Sequence, residues 1–238
     1  MGSSSSPIIS PGKLRSDLYS FSTQDDHDPN TPLVISVLAS LLERTMSRNE
    51  RSTKKFINSS PSSPSNDRTH IFYCDRTLDM TIQSFLERIF RYTHIAPSIY
   101  VVAYTYIDRF CQIHKEFRIT NTNVHRFLIT TIMVASKFVE DMNYRNSYFA
   151  KVGGITTKEM NKLEVEFLFL MGFKLHVNVK VFESYCCHLE REVSIGGGYQ
   201  IERSLGFMCG GHMKSIKREN NQRNNLMITT SSNVVHSK

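Results

Sequence analysis

Apolar residues recur every three or four positions over much of the chain, which is the spacing of one face of an α-helix. The clearest stripe follows Thr81 and consists of Ile82, Phe85, Leu86, Ile89 and Phe90. Thr81 is a good N-cap residue, because its hydroxyl can accept a hydrogen bond from a backbone N–H of the first turn. The pattern predicts an amphipathic helix that begins after Thr81.

Two more helices are predicted directly after this one. Pro97 suits the first position of a helix, and the apolar residues from Val101 to Phe110 are nearly continuous. A helix that is apolar on most sides is typical of the centre of a domain. The next apolar stripe begins near residues 121–123 and continues to Phe138.

The pattern then predicts a short helix over about 144–152, ended by two glycines, and a longer helix after Thr156. Glu159 stands three residues after Thr156, so the two can form a capping box, in which each side chain bonds the backbone N–H of the other residue. Gly172 is the expected end of this helix, since glycine readily adopts the left-handed conformation found there.

Two further helices flank these five. Thr31, followed by proline, predicts the start of an N-terminal helix that runs to about Arg44. Asn178 predicts the cap of a last helix that continues through Leu189. Residues 52–68 are rich in Ser, Pro and Asn and are therefore predicted to form a loop.

The sequence shows no pair of strands with a hairpin turn, so it predicts an all-α fold. The folded domain is expected over residues 31–195, with the five helices between about 70 and 175 as its centre. Residues 1–30 and 196–238 are predicted to be disordered tails, because their polar composition buries too little apolar surface to offset the entropy of ordering.

The formal net charge of the 238-residue chain is +7 at pH 7. Much of the positive excess lies in residues 44–69 and 207–238, outside the five central helices. A surface that binds nucleic acid usually clusters basic and aromatic residues on one folded face. We therefore expect no direct binding of nucleic acid.

The sequence also argues against cofactor, metal and membrane binding. The five cysteines form no Cys-x-x-Cys pair, the usual sign of a zinc site. No stretch approaches the ~20 apolar residues that a membrane-spanning helix needs. Phosphate-binding loops, kinase signatures and nucleophile elbows are missing, so we expect no enzymatic activity. Cys186, beside Cys187 and His188, is interpreted as a packing residue of the last helix.

The segment from Tyr92 to Leu175 carries several motifs in a fixed order. They are Tyr106-Ile107-Asp108-Arg109-Phe110, then Ala135-Ser136-Lys137-Phe138, then Leu163-Glu164 followed by Leu168–Leu175. Together they resemble the cyclin box, a five-helix module. In finer detail the chain is similar to the plant P-type cyclins, also called U-type, which carry a single box.

The resemblance implies a regulatory subunit of a protein kinase. Cyclins bind the helix of a cyclin-dependent kinase that carries the PSTAIRE-like sequence, and they press it into the active site, where it completes a Lys–Glu ion pair. Carried over to this chain, the kinase contacts are Lys137 and Glu164. Without the resemblance, each would be read as a solvated charge on a helix surface. Phe138, Phe167 and Ile82 are apolar candidates for the same interface.

The resemblance further predicts a role in cell-cycle or phosphate-linked signalling, in the nucleus, the cytoplasm or both. Two alternatives stay open. One is a cyclin-fold transcription adaptor, although such adaptors typically carry two boxes and a zinc ribbon. The other is a helical scaffold that binds a kinase without activating it.

One short motif lies outside the predicted domain. Ser10-Pro11-Gly12-Lys13 has the S-P-x-K form that cyclin-dependent kinases prefer. Because the segment is expected to be disordered, Ser10 is predicted to be an accessible phosphorylation site. The added negative charge is expected to extend the acidic N-terminal tail rather than order it.

Overall fold

The computed structural model describes residues 10–19, 31–56, 68–75, 77–141 and 143–194. Within these ranges the chain forms α-helices and one 3₁₀ helix, and no strand, which confirms the all-α prediction. The helices are α1 (Pro11–Tyr19), α2 (Leu33–Phe56), α3 (Ile82–Thr93), α4 (Pro97–Ile113), α5 (Val124–Val139), α6 (Asn146–Gly153), α7 (Thr157–Leu170) and α8 (Val179–Ser194), and the 3₁₀ helix (Arg68–Phe72) precedes α3. All described residues fall in a single structural unit, which ends at Gly196.

Helices α3, α4 and α7 begin directly after or at the residues that predicted their starts, whereas α6 begins at Asn146, two residues later than expected. Thr81 caps α3, because its hydroxyl accepts a hydrogen bond of 3.1 Å from the backbone N–H of Ser84. Thr156 and Glu159 form the predicted capping box of α7. The N–H of Glu159 donates to the Thr156 hydroxyl at 3.1 Å, and the N–H of Thr156 donates to the Glu159 carboxylate at 2.9 Å. The hydrogen bonds that the Glu159 carboxylate accepts from the backbone N–H and the hydroxyl of Thr156 lower the pKa of Glu159.

Helix α4 lies at the centre of the domain, as its apolar sequence predicted, and it contacts α1, α2, α5 and α8. Its polar groups hold the segment that follows α7. The Tyr106 hydroxyl donates to the Leu175 carbonyl at 2.8 Å, and the Arg109 guanidinium donates to the carbonyls of Lys174 and His176. Burial raises the pKa of Tyr106 to about 12, so this hydroxyl stays a donor at neutral pH.

A cluster of phenylalanine rings forms the core. Its members are Phe72, Phe110, Phe117, Phe127 and Phe167, all buried. Neighbouring ring centroids lie 4.8–6.4 Å apart, most in the edge-to-face arrangement that aromatic pairs prefer. The rings come from the 3₁₀ helix, α4, α5, α7 and the α4–α5 loop, so the cluster fixes these elements together. Phe167 and Ile82 are both buried, and the hypothesis that they belong to an interface is therefore wrong.

Helix α2 is longer than predicted. The sequence indicated an end near Arg44 and a loop over 52–68, but the helix continues to Phe56. The apolar stripe stops near Arg44, yet a polar stretch can stay helical when no proline or glycine interrupts it. Asn49 also anchors the added turns, since its side chain donates to the Ile119 carbonyl at 2.8 Å. Residues 57–67 of the predicted loop lie outside the described residues.

A helix also occupies part of the segment predicted to be a disordered tail. Within residues 1–30, α1 places Leu14 and Leu18 one turn apart, and both are buried, at 0% and 3% exposure. The sequence analysis judged the tail by its overall polar composition and so did not identify this pair of leucines. The folded domain therefore begins before residue 31. The rest of that tail, and the predicted tail over 196–238, lie outside the described residues.

Within the described ranges, no helix is long and apolar enough to cross a membrane. No group of three or more potential metal-ligating side chains occurs there either. Cys186 is buried on α8, as its position in the stripe predicted, and burial raises the pKa of its thiol to about 11. The high pKa fits the interpretation of Cys186 as a packing residue, since a protonated thiol is a poor nucleophile.

Two phenylalanines of α7 provide a matched test of the core. Phe167→Ala is expected to lower the free energy of unfolding by about 3–5 kcal/mol, because it empties a fully buried site. Phe169→Ala removes a ring that is 54% exposed, and we expect a loss below about 1 kcal/mol. Urea denaturation followed by circular dichroism measures both. Equal losses would contradict the assignment of Phe167 to the core.

Candidate functional site

The structure brings the two sequence-predicted site residues into direct contact. Lys137 lies in the last turn of α5, and Glu164 lies in the middle of α7. The Lys137 ammonium is 2.5 Å from a Glu164 carboxylate oxygen, and the two side chains are 33% and 17% exposed. The two charges therefore form one partly buried ion pair, whereas the sequence alone left them as separate charges on the helix surface.

Asn146, the first residue of α6, bridges this pair. Its side-chain oxygen accepts a hydrogen bond of 2.9 Å from Lys137, and its side-chain nitrogen donates to Glu164 at 2.6 Å and to Asn161 at 2.9 Å. We call Lys137, Asn146 and Glu164 the polar cluster. Sequence reasoning missed Asn146, because an asparagine at the start of a helix is ordinary and gives no sign of its tertiary partners.

The polar cluster keeps hydrogen-bonding capacity for a partner. Lys137 has three N–H donors, and within the described part of the chain two of them serve Asn146 and Glu164. Each carboxylate oxygen of Glu164 accepts one of these hydrogen bonds and can accept another. The pair can thus bind a backbone carbonyl and a backbone N–H of a partner without giving up its internal contacts. Backbone carbonyl and N–H groups are left unpaired at the two ends of a helix, so the end of a partner helix could supply them.

The outward face of the C-terminal half of α7 is apolar, whereas its N-terminal half carries exposed polar side chains. At 3.6 residues per turn, Val165, Leu168 and Phe169 lie on the side of the helix that faces away from the buried Leu163 and Phe167. Val165 is 49% exposed and Phe169 is 54% exposed. A surface helix normally presents polar residues to water, so a contiguous apolar strip indicates a docking surface.

Ion pairs border this face on both sides. Glu164 belongs to the polar cluster on one edge, and Glu166 on the other edge pairs with Arg68 at 2.7 Å. The Arg68 guanidinium also lies 5.4 Å from the centre of the Phe169 ring. Phe173 extends the apolar surface past the end of the helix, with its ring 5.3 Å from that of Phe169. We call Val165, Leu168, Phe169 and Phe173 the apolar strip.

Phe173 has an unusual backbone conformation. Helix α7 ends in a Schellman motif, in which the N–H of Phe173 bonds the Leu168 carbonyl and the N–H of Gly172 bonds the Phe169 carbonyl. Gly172 and Phe173 both have a φ of 56°. This left-handed region costs a residue with a side chain about 1–2 kcal/mol. Phe173 is 59% exposed, so burial within the chain does not offset that cost, and such strain is typical of functional positions.

Phe138 is the one predicted apolar interface residue that stays accessible, with 52% of its surface exposed directly after Lys137. Together with Val139 it lines an apolar groove of about 360 Å³ at the end of α5. Tyr19 of α1 and Phe182 of α8 also line this groove. The candidate surface therefore continues from the last turn of α5 toward α1 and α8.

An all-α domain with an exposed apolar strip and an adjoining ion pair has the features of a protein-binding module. The chain belongs to the cyclin family, since the cyclin family model matches residues 32–175. The match starts at residue 32, so it includes α2, which the sequence placed outside the box. Cyclins are regulatory subunits and not enzymes themselves.

Individual relatives agree with the finer resemblance to P-type and U-type cyclins. Cyclin-U2-2 of Arabidopsis thaliana is 66% identical over 215 residues, which cover 90% of each chain. Cyclin-U2-1 of the same plant is 67% identical over 87% of this chain and 89% of its own. Cyclin-P2-1 of Oryza sativa subsp. japonica is 48% identical over 87% of this chain and 95% of its own.

The ion pair can be tested by exchanging its charges. Lys137→Glu or Glu164→Lys alone is expected to lower the free energy of unfolding by about 1–2 kcal/mol, because like charges then meet in a partly buried site. The double exchange K137E/E164K should recover most of this loss, since the Asn146 amide can rotate and bind the exchanged charges.

Urea denaturation of the wild type, both single variants and the double variant gives the coupling energy as a double-mutant cycle. Lys115→Glu, which changes an exposed lysine of the α4–α5 loop, is the control and should shift stability by less than about 0.5 kcal/mol. If the double variant loses as much free energy of unfolding as the two single variants together, the pair makes no contribution to stability.

Proposed function

We propose that this chain is the regulatory subunit that binds and activates a cyclin-dependent protein kinase. The observation that carries the proposal is the polar cluster at the edge of the apolar strip on α7. An interface of this kind combines a desolvated apolar centre with a few charge-assisted hydrogen bonds that fix the orientation of the partner. The partner is expected to be a kinase with a PSTAIRE-like helix, as the family resemblance implies.

In the proposed complex the kinase helix lies against the apolar strip and reaches Phe138, which is exposed next to Lys137. Burial of Val165, Phe169 and Phe173 supplies affinity, because these side chains lose water-exposed apolar area. Lys137 donates to a kinase backbone carbonyl, and Glu164 accepts from backbone N–H groups near a helix N-terminus, where a negative charge is favourable. These polar contacts set the position of the kinase helix along the strip.

Activation follows from holding the kinase helix in place. In protein kinases a Glu on that helix must reach the Lys that binds the ATP phosphates before phosphoryl transfer can proceed. A rigid surface on the regulatory subunit can select this position. Rigidity here has two sources in addition to the phenylalanine core. The capping box fixes the start of α7, and Arg126 of α5 pairs with Glu159 of α7 at 2.5 Å.

Cell-cycle control or phosphate-linked signalling is the proposed context, and the nucleus or cytoplasm the proposed location. The transcription adaptor is less well supported, because the described residues include no group that could hold the zinc of a ribbon. A scaffold that binds a kinase without activating it would use the same surface. Only a measurement of kinase activity separates the scaffold from the activator.

The proposal predicts that the full-length chain retains a cyclin-dependent kinase from extracts of dividing plant cells. Mass spectrometry identifies the retained kinase, and phosphorylation of an S-P-x-K peptide measures its activity. Lys137→Glu and Glu164→Lys are each expected to weaken binding at least tenfold, since each leaves a desolvated partner group unpaired.

The double exchange K137E/E164K separates binding from stability. It restores the internal ion pair but presents the wrong charge to each kinase group, so it should fold like the wild type and still fail to bind. If this variant binds the kinase as tightly as the wild type does, the ion pair acts only within the chain. A retained kinase whose activity does not rise would favour the scaffold, and retention of no such kinase would contradict the proposed function.

A further inference from the structure

Helix α1 is a small element that depends on its contacts for stability. It has nine residues, fewer than the 12–15 or so that an isolated helix needs in water. It packs on α8, α2 and α4, with Leu14 and Leu18 as its buried residues. Away from these surfaces it is expected to unwind, so its folding and its docking are one equilibrium.

Polar contacts orient the docked helix. Arg15 pairs with two carboxylates of α8, at 2.5 Å from Glu190 and 3.2 Å from Glu183. Asp17 accepts a hydrogen bond of 2.7 Å from the backbone N–H of Leu33, the first residue of α2. The side chains of Arg15 and Glu183 are 46% and 41% exposed, so their pairing adds little stability, whereas Glu190 and Asp17 are partly buried. Burial of Leu14 and Leu18 therefore supplies most of the free energy that holds α1 docked. A change of about 1 kcal/mol at the end of the helix still shifts the released fraction about fivefold.

Ser10 is the N-cap of α1. Its hydroxyl accepts a hydrogen bond of 3.2 Å from the N–H of Lys13, and its carbonyl accepts one of 3.0 Å from the N–H of Leu14. Pro11 occupies the first helical position, which suits its fixed backbone angle. The S-P-x-K motif of the sequence thus coincides with the first turn of a docked helix, whereas the sequence analysis placed it in a disordered segment.

Because Ser10 lies at the start of a docked helix, a kinase cannot reach it in every state of the chain. Protein kinases bind their substrates as extended strands, and Pro11 to Lys13 are helical while α1 is docked. Ser10 is therefore a substrate only when α1 is released. Release of one short helix costs far less than global unfolding, so the released state is visited often enough for modification.

We propose that Ser10 is phosphorylated by a proline-directed kinase in the released state and that the phosphate then holds α1 docked. The Ser10 hydroxyl oxygen attacks the γ-phosphorus of ATP, its proton passes to the kinase base, and ADP leaves. The phosphate ester carries about −1.5 to −2 charges at neutral pH, together with strong acceptor oxygens.

The first turn of α1 is well suited to receive that charge. It contains no acidic residue, and its backbone N–H groups and the positive end of the helix dipole face the phosphate. Lys13 adds a positive side chain in the same turn. The carboxylate of Glu190, on the neighbouring helix α8, is already paired with Arg15. The charge is thus expected to order this segment, contrary to the extended tail that the sequence analysis predicted.

Docked α1 brings Tyr19 to the groove that Phe138 and Val139 line. The Tyr19 hydroxyl bonds Glu183, which raises the pKa of Tyr19. Phosphorylation of Ser10 would therefore stabilise one wall of this groove. The effect of this wall on kinase binding rests on the proposed function, whereas the effect of the phosphate on α1 does not.

Hydrogen exchange of the full chain, measured by mass spectrometry, tests the proposal. The chain is compared before and after treatment with ATP and a purified, active proline-directed kinase. The α1 amides of the phosphorylated chain are expected to exchange about fivefold more slowly, and those of Ser10→Ala about fivefold faster than the unmodified wild type, because an N-cap interaction is worth ~1 kcal/mol. Leu14→Ala with Leu18→Ala supplies the released state and should be phosphorylated on Ser10 faster than the wild type.

The Ser10→Ala chain, treated with the same kinase, controls for other Ser/Thr-Pro sites such as Thr31, Ser60 and Ser63. It should show no change in α1 exchange on treatment. Unchanged or faster exchange of α1 after phosphorylation of Ser10 would overturn the proposal. The proposal would also be overturned if Ser10 stays unmodified in the variant with both leucines replaced. The readout needs no bound partner kinase, so its failure is distinct from a failure of the proposed function.

Discussion

Burial of the phenylalanine core is the constraint on which the candidate surface depends. Phe167 packs against Phe110 and Phe127 from two other helices, and this contact fixes the rotation of α7 about its own axis. Once that rotation is fixed, Glu164 must lie at the edge that faces α5, and Phe169 must face outward. The same contacts that stabilise the domain thus decide which residues a partner can reach.

The polar cluster links stability and recognition in one set of atoms. Lys137 and Glu164 satisfy each other and Asn146 within the chain, so neither is a buried unpaired charge in the absence of a partner. Their unused hydrogen-bonding capacity is available to a second molecule. A surface that is already ordered binds with a smaller loss of side-chain entropy. The left-handed backbone of the exposed Phe173 is also consistent with a binding surface that is formed before the partner arrives.

Local chemistry could be predicted from the sequence, and contacts between distant segments could not. Thr81 and the Thr156–Glu159 capping box act within a few residues, so the sequence contains all the information they need. The docking of α1 buries two leucines and depends on contacts with α8, some 170 residues away, which no local pattern reveals. Lys137 and Glu164 were identified by family resemblance, but their direct contact required the tertiary structure.

Site-specific photo-cross-linking tests the central claim most directly. A photoreactive amino acid at Phe138 is expected to cross-link the purified chain to the PSTAIRE-like helix of its cyclin-dependent kinase. Leu78 is the matched control, because it is also exposed but lies near Arg126, twelve residues or about 18 Å along α5 from Phe138. The account predicts a cross-link from Phe138 and none from Leu78. A kinase cross-link from Leu78, with none from Phe138, would contradict it.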